Sequence, residues 1–201
     1  MNISSKTGQI VRIGVLTAVL ILLEITNLGF IKTPTGLELT IMQIPVLVGA
    51  IVMGPVPGAF LGGVFGLTSF FECFGKSFFG AALLSINPIY TFILCFVPRV
   101  LMGWCCGLIF RFLEKHVKNK MLPYAAASLA GALLNTVFFM SALILLFGRT
   151  EYIMGFRGDM PVIPFILAFV GVQGLIEAII CFLCGSAISY GVMRFVSTKA
   201  D

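Results

Sequence analysis

A chain of 201 residues that is 59% hydrophobic and only 10% charged, with a mean hydropathy of +1.10, cannot cover itself with a polar surface; soluble domains usually carry about a quarter charged residues. This excludes a soluble globular domain, and in such a chain the net charge of +5 concerns membrane orientation rather than nucleic-acid binding. The expected fold is an all-α membrane protein: a single domain over residues 1–201 with about six transmembrane helices, each needing roughly 20 apolar residues.

The N-terminal stretch has no small-x-small cleavage site, so it reads as the lead into a first helix rather than as a removed signal. The first span covers about 10–28. Gly14 and Ala18 form a small-x-x-x-small face that lets another helix approach closely. Glu24, near the far end, reaches either the interface or a site. Gly29–Leu39, with Pro34 and Gly36, breaks into a loop. The second span, 40–53, is short, and Pro45 should kink it or mark a broken start. Gly54–Gly58 reads as a tight hairpin. The third span, 58–71, carries Gly58, Gly62 and Gly66 at every fourth position, a helix-packing surface rather than a ligand site.

A loop over 72–86 is rich in Phe (Phe74, Phe78, Phe79) and reads as interfacial or as a lid over a pocket. The fourth span, 87–112, contains Arg99. A basic loop, Arg111–Lys120, leads to the fifth span, 122–147, with Asn135 at its middle. A mixed-charge loop, 148–160, precedes the sixth span, 161–195, which contains Gln173 and Glu177. With the N-terminus inside, Lys6, Arg12, Arg111, Lys115, Lys118, Lys120, Arg194 and Lys199 share the cytoplasmic side. Lys32, Lys76, Arg149 and Arg157 lie opposite. Eight against four, with an even number of spans, puts both termini in the cytoplasm.

Arg99 is the residue around which the rest is organised. A charge at mid-membrane costs several kcal/mol unless it meets a partner, a polar ligand or water. It anchors a small anionic solute, or it pairs with an acid on another helix, Glu177 being the nearest in depth. Arg99 is twelve residues from the end of its span at Asn87, Asn135 twelve from Phe147, and Gln173 twelve from Pro161. At 1.5 Å per residue all three lie about 18 Å deep, and Glu177 follows one turn below Gln173 on the same face. An Arg fork pairs a carboxylate bidentately, and the amides supply both donors and acceptors. Tyr90, Phe96 and Trp104 on the Arg99 helix are candidates for an apolar wall.

Little suggests catalysis. The single histidine, His116, lies among lysines. No H-E-x-x-H, G-x-S-x-G or phosphate-binding glycine loop occurs, and no enzyme activity, metal or cofactor is expected. Cys181 and Cys184 have a C-x-x-C spacing, but with no second pair or histidine nearby they read as packing residues.

The stretch Leu39–Ser69, LTIMQIPVLVGAIVMGPVPGAFLGGVFGLTS, resembles the substrate-binding S components of energy-coupling factor (ECF) vitamin transporters. These share an ordered I-P-V-x-x-G-A-x-x-x-G-P-x-x-G-A-x-x-G-x-x-F-G-L-x-S pattern over the second and third helices. The resemblance implies a bacterial plasma-membrane protein that binds a vitamin from outside. It would dock on a transmembrane T subunit coupled to two cytosolic ATPases, then topple to release its cargo. Gly14 and Ala18 match the family's Ala-x-x-x-Ala docking motif loosely, with Gly for the first Ala. The loops Gly29–Leu39 and Glu72–Ile86 correspond to the gating loops. Phe79–Pro88 with Val97–Gly103 is most similar to pantothenate S components, which implies ligand contacts from Arg99, Asn87 and Asn135. Folate, pyridoxine, riboflavin and a queuosine precursor remain as alternative cargoes, and a self-sufficient secondary transporter as an alternative class.

Overall fold

The computed structural model describes residues 6–26, 28–32 and 38–198. The elements in chain order are α1 (Lys6–Ile25), β1 (Phe30–Lys32), β2 (Glu38–Thr40), α2 (Gln43–Met53), α3 (Pro55–Glu72), α4 (Phe78–Ile86), α5 (Pro88–His116), α6 (Leu122–Phe147), α7 (Glu151–Arg157) and α8 (Val162–Ile180). A π-helical turn (Cys181–Gly185) then leads without a break into α9 (Ser186–Thr198). The strands form a two-stranded antiparallel hairpin with Ile31 opposite Leu39. Residues 33–37 of the expected first gating loop, and Lys199 of the charge count, lie outside the described residues.

The chain is nearly all helical. Among the described residues, four helical stretches are long and apolar enough to cross a membrane: Thr7–Ile25, Pro88–His116, Leu122–Phe147 and Val162–Phe195. The second and third expected spans take another form. α2 has only 11 residues, about 16 Å of helix, which is too short for a bilayer core of about 30 Å. Every residue of α2 except Val52 is buried. A helix that is apolar all round belongs inside a bundle, and α2 occupies that place among α1, α3, α5, α6 and α9.

Local chemistry sets several boundaries. The expected Gly54–Gly58 hairpin contracts to one residue: Gly54 turns the chain at φ 102°, and α3 starts at once with Pro55 in its first turn. The expected loops at 72–86 and 148–160 each contain a short helix. Ser77 caps α4 by accepting from the Gly80 N–H at 3.3 Å, and Thr150 caps α7 by accepting from Ile153 N–H at 3.5 Å.

α3 lies along α5 with backbone against backbone, the most extensive helix pairing in the molecule. A Cβ on Gly62 would strike the Arg99 carbonyl, and one on Gly66 would come within 2.8 Å of the Phe96 Cα. The glycine face is therefore a packing surface, and it fixes the height of Arg99 against α3.

Two apolar cores result. One gathers α2 with Leu20, Leu61, Phe65, Met102, Cys106, Phe110, Ala132 and Ala178. The other gathers Leu83, Leu94, Met140, Leu143, Phe147, Ile153 and Phe165. Three helices pass from one core to the other at a polar residue. On α5 the order is Leu94, Arg99, Met102; on α6 it is Met140, Asn135, Ala132; on α8 it is Phe165, then Gln173 and Glu177, then Ala178.

Candidate functional site

A cavity of about 140 Å³ occupies this polar layer. With a water needing roughly 10–15 Å³ on this kind of measure, it holds on the order of ten water-sized positions, the scale of a small metabolite. α5 contributes Thr91, Leu94, Cys95 and Arg99, three of them spaced by one turn. α6 supplies Asn135, Thr136 and Phe139; α8 supplies Val170, Gln173, Gly174 and Glu177. Ser69, Glu72 and Cys73 come from the end of α3, Phe79, Gly80 and Leu83 from α4, and Thr40 and Ser77 complete the lining.

The position of Arg99 follows from its neighbour. Pro98 has no N–H, so the Leu94 carbonyl loses its helical donor. The Arg99 guanidinium takes that place, donating from Nη1 to Leu94 O at 2.9 Å. The side chain is thereby folded back along α5 into the cavity. Its Cζ lies 4.8 Å from the ring centroid of Phe139 and 5.5 Å from that of Phe65, within cation–π range. One carbonyl uses one of five guanidinium donors, and Nε is buried with no partner. Asn135 Oδ1 and Ser69 Oγ are likewise buried and unpartnered. Buried polar atoms left unpaired cost free energy, so this cavity is chemically incomplete without a polar occupant.

Glu177 is held differently. Its Oε1 accepts from the Thr40 N–H at 2.8 Å and its Oε2 from Gln43 Nε2 at 2.9 Å. It thus ties the β2 end and α2 to α8, and no ion pair joins it to Arg99. An ion pair in this region joins Lys76 Nζ to Glu24 Oε1 at 2.8 Å, linking the end of α1 to the α3–α4 connection. That hydrogen bond raises the Lys76 pKa above the ordinary lysine value.

Of the residues singled out from sequence, Arg99, Asn135, Gln173 and Glu177 line one cavity. Asn87 and Tyr90 lie outside the lining. Asn87 caps α5, its Oδ1 accepting from the Ile89 and Tyr90 N–H groups at 3.1 Å each, and the exposed Tyr90 packs edge-on against Phe147 at 6.1 Å. Phe96 and Trp104 also lie outside it, and the apolar wall comes instead from Phe79, Leu83, Leu94, Phe139 and Val170. Gly14 and Ala18 are exposed on α1, and a Cβ on Gly14 would meet nothing within 4 Å. Sequence reasoning missed Thr40, Ser69, Glu72 and the pair Cys73 and Cys95. Extending the face of Gly62 and Gly66 by further turns reaches Ser69 and Cys73, a signal that was there to be read.

A profile of the family described as "ECF transporter, substrate-specific component" matches residues 8–189. The chain belongs to this family. It is a multi-pass protein of a bacterial plasma membrane, and membership implies transport rather than catalysis. Among curated relatives, this S component is 26% identical over 199 residues to the "Pantothenic acid transporter PanT" of Lactococcus lactis subsp. cremoris (strain MG1363), covering 92% of this chain and 93% of the relative. It is 33% identical over 107 residues to the "Pantothenate transporter PanT" of Leuconostoc mesenteroides subsp. mesenteroides, covering 51% of this chain and 49% of the relative.

Proposed function

We propose that this S component is the pantothenate-binding subunit of an ECF-type ABC importer. It captures the vitamin outside the cell and releases it after docking on a T subunit driven by two cytosolic ATPases. The observation that carries the reading is the lone guanidinium, with a buried free Nε, in one cavity with the amides of Asn135 and Gln173. Pantothenate offers one carboxylate for the fork of Arg99. Its amide and two hydroxyls suit Asn135, Gln173 and the acceptors Ser69 and Glu177. Both curated relatives carry pantothenate in their names, which points the same way. In this reading Asn87 and Tyr90 act at the rim.

The membrane arrangement proposed with it has six crossings and both termini in the cytoplasm; α3 supplies the fifth and the short α2 the sixth, α2 crossing inside the bundle, where protein rather than lipid surrounds its ends. The exposed face of α1 containing Gly14 and Ala18 is the docking surface for the T subunit, since small residues permit close helix approach.

Two buried acids in the lining, Glu72 and Glu177, favour one rival cargo, a donor-rich vitamin such as pyridoxine. Titration of the detergent-purified chain with pantothenate, folate, pyridoxine and riboflavin, read by calorimetry, separates these. Submicromolar one-to-one binding of pantothenate alone is the expected result, and binding of another vitamin alone overturns the cargo. For docking, Gly14→Leu and Ala18→Leu should leave pantothenate affinity unchanged yet stop uptake by cells that carry the whole importer. Normal uptake by both would remove these residues from the interface.

A further inference from the structure

Two thiols meet on the cavity wall, and the transport reading uses neither. Cys73 directly follows α3, and Cys95 lies one turn before Arg99 on α5. Both are buried, both line the cavity, and their sulfurs are 3.8 Å apart. Cys73 Sγ also lies 3.4 Å from Ser69 O. A Cβ on Gly80 would come within 2.6 Å of the same sulfur, so α4 packs directly on it. Free cysteines in apolar helices usually act as small hydrophobes. This pair differs in that two sulfurs from separate helices face each other on the surface of a cavity built to admit a solute.

The geometry points to Cys73 and Cys95 as a reversible disulfide site that controls access to the cavity. A disulfide needs its sulfurs about 2.0 Å apart, so the present 3.8 Å must close by about 1.8 Å as the bond forms. The oxidant is a low-molecular-weight disulfide small enough to enter the cavity. One cysteine, as thiolate, attacks a sulfur of that disulfide and expels one small thiolate, leaving a mixed disulfide. The second cysteine thiolate then attacks the protein sulfur of the mixed disulfide and releases the other small thiolate. The two protein thiols lose two electrons and two protons, and the small disulfide becomes two thiols. The inference rests on the outward-facing cavity proposed above for its setting, because only the outer side of the membrane is oxidising.

The new bond would tie α3 to α5 beside Arg99 and close a loop that contains α4. Phe79 and Leu83, which wall the cavity, would then lose freedom to move aside for a solute. Oxidation therefore slows entry and weakens capture.

The test uses the full chain in detergent. It is incubated with 2-hydroxyethyl disulfide, a disulfide small enough for the cavity, digested without reduction and mapped by mass spectrometry, with pantothenate binding measured before and after. The expected result is a peptide linked through Cys73 and Cys95, two hydrogens lighter than its parts and absent from a folded Cys95→Ser variant. Pantothenate affinity should fall at least tenfold, and dithiothreitol should restore it. 2-Mercaptoethanol held as a mixed disulfide at either cysteine with no linked peptide, or no reaction of either thiol, overturns the proposal. So does a linked peptide with unchanged affinity. A reduced chain that binds no pantothenate sinks the cargo reading instead, and the linked peptide still decides the disulfide.

Discussion

The two apolar cores are assembled by different means. Around α2 the helices touch through their backbones: a Cβ on Gly62 would strike the Arg99 carbonyl, one on Gly107 would come within 2.6 Å of the Pro55 Cα, and Leu61 and Met102 fill what remains. Around Phe165 the contacts are rings and long side chains. Phe79 of α4 lies 6.0 Å from Tyr152, 6.4 Å from Phe156 and 5.6 Å from Phe169, which joins α4, α7 and α8. Backbone contact leaves nothing to rotate, so the first core fixes helix positions to a fraction of an ångström. Aromatic pairs are satisfied over a range of separations and tilts, so the second core tolerates rearrangement. The polar layer lies between them. The backbone of Arg99 is thus fixed by the first core through Gly62, while its guanidinium reaches the second through the Leu94 carbonyl and the Phe139 ring.

The largest expected effect falls on the layer itself. Arg99→Ala should weaken pantothenate binding by about 30-fold to several thousand-fold, since truncating one partner of a buried charge pair costs about 2–5 kcal/mol. The variant loses the ring contacts to Phe65 and Phe139 and the bond to the Leu94 carbonyl, but it also sheds a buried charge whose desolvation is costly, so it should stay folded with a melting temperature close to that of the wild type. Arg99→Lys should recover only part of the loss, because an ammonium cannot form the planar fork. Calorimetry on both variants checks this. Unfolding of Arg99→Ala would instead make the guanidinium a structural element of the bundle.

Next come variants that set one core against the other. Gly62→Val forces α3 away from α5 where the backbones touch, and overpacking of this kind costs about 1–3 kcal/mol. It should lower the melting temperature in detergent and weaken binding as well, since Arg99 shares the contact. Phe79→Ala removes ring contacts worth about 1 kcal/mol from the adaptable side. It should lower the melting temperature by only a few degrees, less than Gly62→Val does, and speed pantothenate dissociation about fivefold, as stopped-flow displacement would read. Equal effects of the two variants on melting would erase the distinction between the cores.

How far the site could be read in the chain follows from these physical differences. Arg99, Asn135, Gln173 and Glu177 were legible because a polar residue in a long apolar run has few innocent explanations and because helix rise gives its depth. Asn87 entered the site only through the resemblance to pantothenate S components; its capping role depends on where α5 begins, and Pro88 in the first turn is the local sign of that. α4 and α7 were hidden because short helices at an interface need only a cap and a few ring contacts, and they leave no long periodic pattern. The depth of α2 was hidden for the opposite reason. An apolar run of 11 residues reads alike as a short span and as a buried plug. Pro98 alone shows that the Leu94 carbonyl lacks its helical donor, while the turn of the Arg99 side chain into that place is visible only in the structure.

The smallest effect belongs to the contact between Glu24 and Lys76, which joins the end of α1 to the connection that leads into α4. Lys76 is 48% exposed, so solvent screens the pair, and such bridges contribute about 0–1 kcal/mol. Lys76→Met should therefore shift melting barely at all, yet it frees one end of the adaptable side and should raise the rates of pantothenate entry and exit together. The pH dependence has a definite sign. Glu24 holds the lysine pKa above its unfolded value, so the contribution is complete at neutral pH and is lost only as pH rises past the ordinary lysine range. Stopped-flow rates of the wild type at pH 7 and in 0.5 M salt should move toward those of Lys76→Met, since salt screens an exposed pair. Rates that ignore both salt and the substitution would show that α1 does not restrain the cavity through this contact.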